Sequence, residues 1–160
     1  QRVLAGRLPA FDDLPRLEYT LQVIEEAMRL YPPAWITDRV AVEDDVVDGV
    51  RIPAGAMIAL SIYGVHHSEK HWDAPESFRP ARFSKENKAT QHPYAYLPFG
   101  GGPRLCIGNS FALMEMQLIL VQMLGRFEVE AVPGQTISPQ ALITLRPKYG
   151  LQMKLMKIGE

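Results

Sequence analysis

Three consecutive glycines, Gly100, Gly101 and Gly102, precede the only cysteine of the chain, Cys106, and a long apolar segment follows at 111–124. Glycines let a backbone turn sharply and adopt positive φ angles, so this stretch predicts a tight loop. The apolar segment is interrupted by polar residues and is shorter than the roughly 20 residues that a membrane span needs. It predicts a helix that is buried on nearly all sides. The fold must therefore hold a glycine-rich loop and a thiol against the start of a buried helix.

The charges of the chain nearly balance, with 17 Lys and Arg against 18 Asp and Glu and a net charge of −1. A chain that binds nucleic acid would carry a basic surplus, so nucleic acid is excluded as a partner. Hydrophobic residues make up 47% of the 160 residues, which is typical of one globular domain. A single cysteine excludes an internal disulfide and a zinc site built from cysteines alone.

Local patterns predict a mixture of helices and strands. Apolar residues at 17, 21, 24 and 28 recur at helical spacing and predict a helix that ends before Pro32 and Pro33. Asp48-Gly49 between β-branched residues predicts a hairpin turn. We expect strands at 39–42, 57–60, 127–130, 143–146 and 151–155, with a turn at 147–150. The segment 64–98 is expected to be irregular apart from a short helix near 75–77.

Cys106 is expected where the long helix begins, because unpaired amides and the helix dipole at that end favour an anion. Such a helix end contributes at most about 2 kcal/mol, or about 1.5 pKa units. A free thiol with a pKa near ~8.5 would then be only about half ionised at neutral pH. Full ionisation therefore calls for a metal ion on the sulfur. The alternative from the residues alone is a buried cysteine that acts as a small hydrophobe.

The loop places Phe99, Gly102, Arg104, Cys106 and Gly108 at the fixed positions of the pattern Phe-x-x-Gly-x-Arg-x-Cys-x-Gly. This segment resembles the haem-binding loop of the cytochrome P450 family. The resemblance implies that Cys106 is the thiolate ligand of the haem iron, and hence the catalytic and metal-binding residue, with haem b as the cofactor. A thiolate ligand pushes electron density to the iron and favours O–O cleavage. The resemblance also implies a cofactor-binding surface formed by Phe99 beside the sulfur and by Pro98, Gly102, Ile107, Gly108 and Ala112.

Two arginines are candidates for binding the haem propionates. Arg104 stands two residues before Cys106, so in an extended segment the two side chains share one side of the backbone. A guanidinium can bind a carboxylate through two hydrogen bonds. Arg39 precedes the segment 48–55, which resembles the small hairpin of the family, where a basic residue meets a propionate. The alternatives are a solvated loop arginine at 104 and an exposed strand arginine at 39.

A charge cluster is expected on the first helix. Glu26 and Arg29 are three residues apart, and Glu25 is an equally good local partner at four, so spacing alone does not choose between them. The family carries Glu-x-x-Arg on this helix, which the resemblance matches to Glu26 and Arg29. A downstream Phe-x-Pro-x-Arg-Phe, here 78–83, implies that Arg82 is the third member. The role of this triad would be structural.

Two apolar runs resemble segments of the family that face the substrate, although ordinary core would have the same composition. They consist of Ala34, Trp35, Ile36 and Thr37 after the first helix and of Ala141, Leu142 and Ile143 near the C-terminus. Histidines at 66, 67 and 71 suggest a metal site, but no Glu or Cys completes a recognisable set, and zinc is not expected.

The sequence as a whole indicates residues 1–160 to be the C-terminal haem-binding part of a single cytochrome P450 domain. The expected fold is the mixed α and β end of a mainly α fold, with a small β-hairpin sheet and a C-terminal β-hairpin. The resemblance also leads us to expect that the N-terminal part, with the distal oxygen-activating helix, lies outside these residues. Gln1 starts the chain without a start methionine or signal-peptide pattern. The expected compartment is intracellular and cytoplasmic, with an upstream membrane anchor left open.

The resemblance implies a monooxygenase that inserts one atom of O2 into a small apolar organic substrate. Its electrons would come from a reductase or a ferredoxin, and this chain alone would be incomplete. Two alternatives remain open from the residues. One is a haem-thiolate isomerase, dehydratase or peroxide-using relative, and the other is a non-enzymatic haem-binding or redox-sensing module.

Overall fold

The computed structural model describes residues 3–4 and 6–159. Gln1, Arg2, Ala5 and Glu160, which the expected 1–160 domain includes, lie outside the described residues. The α-helices are α1 (Glu18–Leu30), α2 (Ile62–His66), α3 (Lys85–Thr90) and α4 (Asn109–Leu124). Short 3₁₀ helices span Phe11–Arg16, Pro80–Phe83 and Gly102–Arg104. The strands are β1 (Ile36–Val40), β2 (Asp45–Val47), β3 (Val50–Ile52), β4 (Met57–Ser61), β5 (Phe127–Ala131), β6 (Pro139–Ala141), β7 (Leu145–Pro147) and β8 (Met153–Lys157). The expected mixture of helices and short strands is confirmed.

Helix α1 forms where the apolar spacing predicts it. It ends at Leu30, ahead of two prolines that cannot continue a helical hydrogen-bond ladder. Ile24 and Met28 of the predicted apolar face are buried. The same end of the helix also buries the polar residues Glu25, Glu26 and Arg29. A buried charge is costly unless it is paired, so these residues must have partners inside the fold.

The first half of the chain contains two small antiparallel sheets. Strand β1 pairs with β4, and β2 pairs with β3. Asp48 and Gly49 both have positive φ angles, 50° and 78°, as a two-residue hairpin turn requires. The predicted hairpin is confirmed, whereas the strand expected at 39–42 begins earlier, at Ile36, and ends at Val40. The strand expected at 57–60 is confirmed as β4.

The expectation that 64–98 is irregular was partly wrong, because α2 extends to His66 and α3 and one 3₁₀ helix lie within it. The short helix expected at 75–77 is a turn. These helices have at most six residues, too few for a helical period to show in the sequence. A core cluster of Trp72, Phe83 and Ala95 lies in this segment, with Tyr96 packed against it.

Helix α4 is confirmed, but the expectation that it is buried on nearly all sides was wrong for this chain. Among its described residues only Gln117 is buried, and Phe111, Ile119 and Leu124 are exposed. The helix packs against α1, the first 3₁₀ helix and β5. These neighbours cover part of its surface, so most of its other apolar side chains are only half-buried.

The C-terminal strands form two further two-stranded sheets, β5 with β8 and β6 with β7. The strand expected at 127–130 is confirmed as β5, whereas the strand expected at 151–155 begins two residues later, as β8. The strand expected at 143–146 begins instead at Leu145, and Ile143 lies in the bend between β6 and β7. Strand β6 was missed because its three residues, Pro-Gln-Ala, have low β propensity. The C-terminal hairpin is therefore formed by β6 and β7.

Candidate functional site

The glycine-rich loop folds back on itself between Leu97 and α4. Gly100 and Gly102 have φ angles of +76° and +66°, a region that residues with a Cβ rarely adopt. The amide of Gly100 donates to the carbonyl of Leu97 at 3.0 Å, and the amide of Cys106 donates to the carbonyl of Phe99 at 3.0 Å. The second bond closes the loop, so the position of the cysteine backbone is set by Phe99.

The thiol of Cys106 is free and exposed. Helix α4 begins at Asn109, three residues later, with Gly108 as its N-cap. The expectation that Cys106 lies at the helix start is therefore corrected. The amide of Asn109 donates to the carbonyl of Cys106 at 3.4 Å, and the amide of Ala112 donates to that of Gly108 at 2.9 Å.

The side chains that neighbour Cys106 in the sequence are mostly apolar. Ile107 is fully exposed, and Leu105 and Phe111 are also exposed. Pro98, Phe99 and Ala112 are half-buried. A soft sulfur donor is a suitable ligand for iron, and exposed apolar side chains on both sides of it suit a flat apolar ring. The donor set and its surface thus fit a haem.

The two candidate propionate arginines are both exposed. Arg104 ends the 3₁₀ helix of the loop. Arg39 lies in β1, where its Nη1 donates to the carbonyl of Asp38 at 2.6 Å and to Oγ1 of Thr37 at 3.3 Å. Neither guanidinium would have to break a contact with a buried group in order to bind a carboxylate.

The structure brings Glu26, Arg29 and Arg82 together in the interior. Nε of Arg29 donates to Oε2 of Glu26 at 2.7 Å, and its Nη2 donates to Oε1 at 2.9 Å. Nε of Arg82 donates to the same Oε1 at 3.3 Å. The side chains of Glu26 and Arg29 are 0% exposed and that of Arg82 is 11% exposed. Glu26 is therefore paired with two cations.

Glu25, the other candidate partner of Arg29, binds a different cation. Nζ of Lys88 lies 2.6 Å from Oε2 of Glu25. Burial raises the pKa of Glu25, while the hydrogen bond from Lys88 acts in the opposite direction. The two adjacent glutamates thus have separate partners.

Arg29 and Glu26 also have partners that the sequence did not indicate. Arg29 donates through Nη1 to the carbonyl of His66 at 2.8 Å and through Nη2 to the carbonyl of Ser77 at 3.3 Å. The amide of Arg79 donates to Oε1 of Glu26 at 2.8 Å. The Trp72 ring lies 5.1 Å from Cζ of Arg29, a cation–π distance. Backbone partners leave no signal in the sequence, so spacing could not have found them.

The three histidines that suggest a metal site in the sequence lie in different environments. His66 is 0% exposed, and burial lowers its pKa to about 4. His67 stacks on Tyr63 with the ring centroids 3.9 Å apart, and His71 lies 5.6 Å from the ring of His92. Within residues 3–4 and 6–159, no group of three His, Cys, Asp or Glu side chains is placed to hold a metal ion.

The two runs that resemble substrate-facing segments contact each other. Nε1 of Trp35 donates to the carbonyl of Leu142 at 2.8 Å. One residue before the first run, the carbonyl of Pro33 accepts from the amide of Leu145 at 2.9 Å. Ile143, in the second run, is 98% exposed, so the joined runs present an apolar side chain outward.

No helix in the described part of the chain has both the length and the apolar character to cross a bilayer.

Comparison with known proteins gives one consistent family. The family described as Cytochrome P450 matches residues 1–155. Cytochrome P450 3A2 of Rattus norvegicus is 46% identical over 152 residues, covering 92% of this chain and 30% of that protein. A Mycobacterium bovis protein assigned as cytochrome P450 132 is 43% identical over 152 residues. The match covers 94% of this chain and 32% of the length of that protein.

A solved structure supports the same assignment at the level of the fold. The crystal structure of the cytochrome P450DA heme domain superimposes with a TM-score of 0.91 and 31% identity. It covers 98% of this chain and 34% of the solved chain. The chain therefore spans about a third of the length of the proteins that it matches.

Proposed function

The chain belongs to the cytochrome P450 family, and on this premise we propose that it is the haem-thiolate part of a monooxygenase. Family membership supports a haem-thiolate oxidoreductase. The finer proposal is an enzyme that inserts one oxygen atom of O2 into a small apolar organic molecule. The observation that carries it is the single exposed thiol of Cys106 in a glycine loop with apolar side chains exposed beside it.

Cys106 would hold the iron of haem b, and Arg39 and Arg104 would bind its propionates. The face of the ring would lie on Pro98, Phe99, Gly102, Ile107, Gly108 and Ala112. Haem iron with a thiolate ligand supplies the activation of O2. The contribution of the chain would be to hold the sulfur, to pack the half-buried Phe99 beside it, and to neutralise the carboxylates of the cofactor.

The loop is suited to hold the sulfur at a fixed place. The bond between the amide of Cys106 and the carbonyl of Phe99 spans seven positions of the sequence, and Gly100 and Gly102 provide the turns between them. A ligand held in this way needs little rearrangement when the metal binds, since its backbone is already ordered.

The cluster of Glu26, Arg29 and Arg82 would act as structural support. It joins α1 to the carbonyls of His66, Ser77 and Ala74, which lie in the segment before the loop. Breaking a buried pair leaves a charge without compensation, at a cost of about 3–5 kcal/mol. The cluster therefore fixes the segment from which the cysteine loop emerges.

The proposals for the substrate and for the partner proteins rest on the same family membership. The joined runs 34–37 and 141–143 would form part of the wall that contacts an apolar substrate, as the exposed Ile143 supports. Electrons would come from a reductase or a ferredoxin, and the rest of the domain would come from the remaining part of a longer protein. The compartment proposed is the cytoplasm.

A spectrum of the reduced, CO-bound protein tests this function. We expect the full chain loaded with haem to give the red-shifted Soret band of thiolate ligation, and the variant Cys106→Ala to lose it. The variant Cys106→Ser keeps the side-chain shape and controls for packing, so it should lose the band as well. A histidine-type band in the unaltered chain would contradict the proposal.

A further inference from the structure

His66 lies at the end of α2, between the first helix and the segment that leads into the cysteine loop. Its side chain is 0% exposed. Nδ1 lies 3.1 Å from the carbonyl oxygen of Arg29, and Nε2 accepts a hydrogen bond from the amide of Leu97 at 2.8 Å. The ring also stacks on Tyr96, with the centroids 5.3 Å apart. One side chain thus joins two backbone positions that are far apart in the sequence.

The two bonds fix the protonation of the ring. The amide of Leu97 is a donor, so Nε2 must carry a lone pair, and the proton of a neutral imidazole is then on Nδ1. That proton points to the carbonyl of Arg29. Burial keeps the ring neutral at ordinary pH, because it lowers the pKa of His66 to about 4. Both nitrogens are therefore used, one as a donor and one as an acceptor.

A path of hydrogen bonds, joined by short backbone segments, runs through this residue to the cysteine. On one side, Arg29 returns a bond from Nη1 to the carbonyl of His66 at 2.8 Å. On the other side, the carbonyl of Leu97 accepts from Gly100, and the carbonyl of Phe99 accepts from Cys106. The ion-paired end of α1 is thereby connected to the backbone of the proposed iron ligand.

We propose that His66 is a positioning residue that sets the place of the cysteine loop relative to α1 through its bond to Leu97. The inference rests on the proposed function, since it concerns how Cys106 is presented to iron. A residue that merely filled space would depend on its volume and its stacking on Tyr96. A positioning residue depends on the acceptor at the place of Nε2.

Two substitutions separate these roles. In His66→Gln the side-chain amide reaches the place of Nε2, so an acceptor for the Leu97 amide is kept and the donor to Arg29 is lost. In His66→Asn the amide reaches the place of Nδ1, so the donor to Arg29 is kept and the acceptor for Leu97 is lost. Both variants lose the ring and one hydrogen bond, which makes each the control of the other.

The first measurement is amide hydrogen exchange in the full chain, which needs no cofactor. We expect the amides of Leu97 and Cys106 to exchange about tenfold faster in His66→Asn and close to the unaltered rate in His66→Gln. Equal acceleration in both variants, or none in either, would overturn the proposal.

The second measurement is the reduced, CO-bound spectrum of the same three proteins. His66→Gln should keep the thiolate band, and His66→Asn should show a reduced fraction of it. A thiolate band lost to the same extent in both variants contradicts the role of His66. Absence of the band from the unaltered chain contradicts the proposed function, and the exchange rates then decide the role of His66 on their own.

Discussion

Nε1 of Trp35 donates to the carbonyl oxygen of Leu142 at 2.8 Å, across 107 positions of the sequence. This bond joins the two apolar runs that we propose to face the substrate. A second bond, from the amide of Leu145 to the carbonyl of Pro33, lies beside it and involves no side chain. Removing the indole donor should therefore loosen the contact without separating the runs.

Trp35→Phe tests the substrate-facing role. The lost hydrogen bond removes about 1 kcal/mol that orders the contact between the two runs. A less ordered wall should bind an apolar ligand more weakly, by at most roughly fivefold, in the haem-loaded protein. The thiolate band should be unchanged, because Cys106 is not touched. Titration of a ligand against the Soret band measures the affinity. Tyr19→Phe, at an exposed position of α1, serves as the control. An unaltered affinity in Trp35→Phe would remove Trp35 from the substrate-facing set.

Arg29→Ala should destabilise the fold by about 3–5 kcal/mol, because it leaves the carboxylate of Glu26 buried without its bidentate partner. Urea unfolding measures this loss. Haem retention should fall with it. Glu25→Ala should retain haem, since Glu25 pairs with Lys88 and not with Arg29. Equal losses from Glu25→Ala and Glu26→Ala would show that the choice between the two glutamates is wrong.

Arg82→Ala should also lower haem retention, because Arg82 is the second cation on Glu26. Arg79→Ala provides the matched control. The guanidinium of Arg79 pairs with exposed Asp73, and only its backbone amide, which alanine keeps, contacts Glu26. Similar haem loss in both variants would contradict a specific role of Arg82.

The sequence could indicate the loop, α1 and the first hairpin because their signals are local. Gly100 and Gly102 are needed for positive φ angles, and Asp48-Gly49 is a turn pair with its own conformational preference. Glu26 could be chosen over Glu25 only through the family resemblance, since both spacings suit a helical ion pair. Lys88, which pairs with Glu25, and Arg79 and Arg82, which bind Glu26 in addition to Arg29, lie more than fifty positions away.

Other features could not be predicted, because they depend on contacts between distant parts of the chain. The role of His66 follows from atoms 31 and 37 positions away, and an isolated histidine in the sequence carries no sign of either. The burial of α4 depends on what packs against it, and the described neighbours leave Phe111 and Ile119 exposed. Hydrophobicity alone predicts that a helix prefers burial, not which elements cover it.

The stability of the fold should decrease as the pH falls from 6.5 toward about 4, because His66 is buried as a neutral ring. The folded pKa is about 4, below the ordinary value of 6.5, because burial disfavours the charged ring and the nearby Arg29 and His67 add to this effect. The unfolded chain therefore binds a proton first, and stability present above pH 6.5 is lost as the pH falls toward about 4.

The magnitude of this loss is of order 3 kcal/mol for the pKa difference concerned. Urea unfolding from pH 7 to pH 4.5 measures it. The raised pKa of Glu25 acts in the opposite direction in the acidic part of this range, so the comparison with His66→Gln isolates the histidine. A variant that loses stability as steeply as the unaltered chain would show that His66 is not the group responsible.

Gly102→Ala should strain the loop by about 1–2 kcal/mol, because alanine disfavours a φ of +66°. No atom lies within 4 Å of the added Cβ, so the effect is conformational and not a clash. We expect faster haem dissociation. Gly134→Ala has the same kind of strain at φ +77° and the same open space, in the turn after β5. It should lower stability to a similar extent and leave haem dissociation unchanged, and equal effects on dissociation would contradict a special role of the loop.

The central claim is that the sulfur of Cys106 binds iron, and X-ray absorption at the iron edge of the haem-loaded chain tests it most directly. We predict one sulfur neighbour of the iron in the unaltered chain and none in Cys106→Ser. That variant keeps all 7 methionines, so it controls for a thioether ligand. An iron with only nitrogen and oxygen neighbours in the unaltered chain, or a sulfur neighbour that persists in Cys106→Ser, would contradict the account.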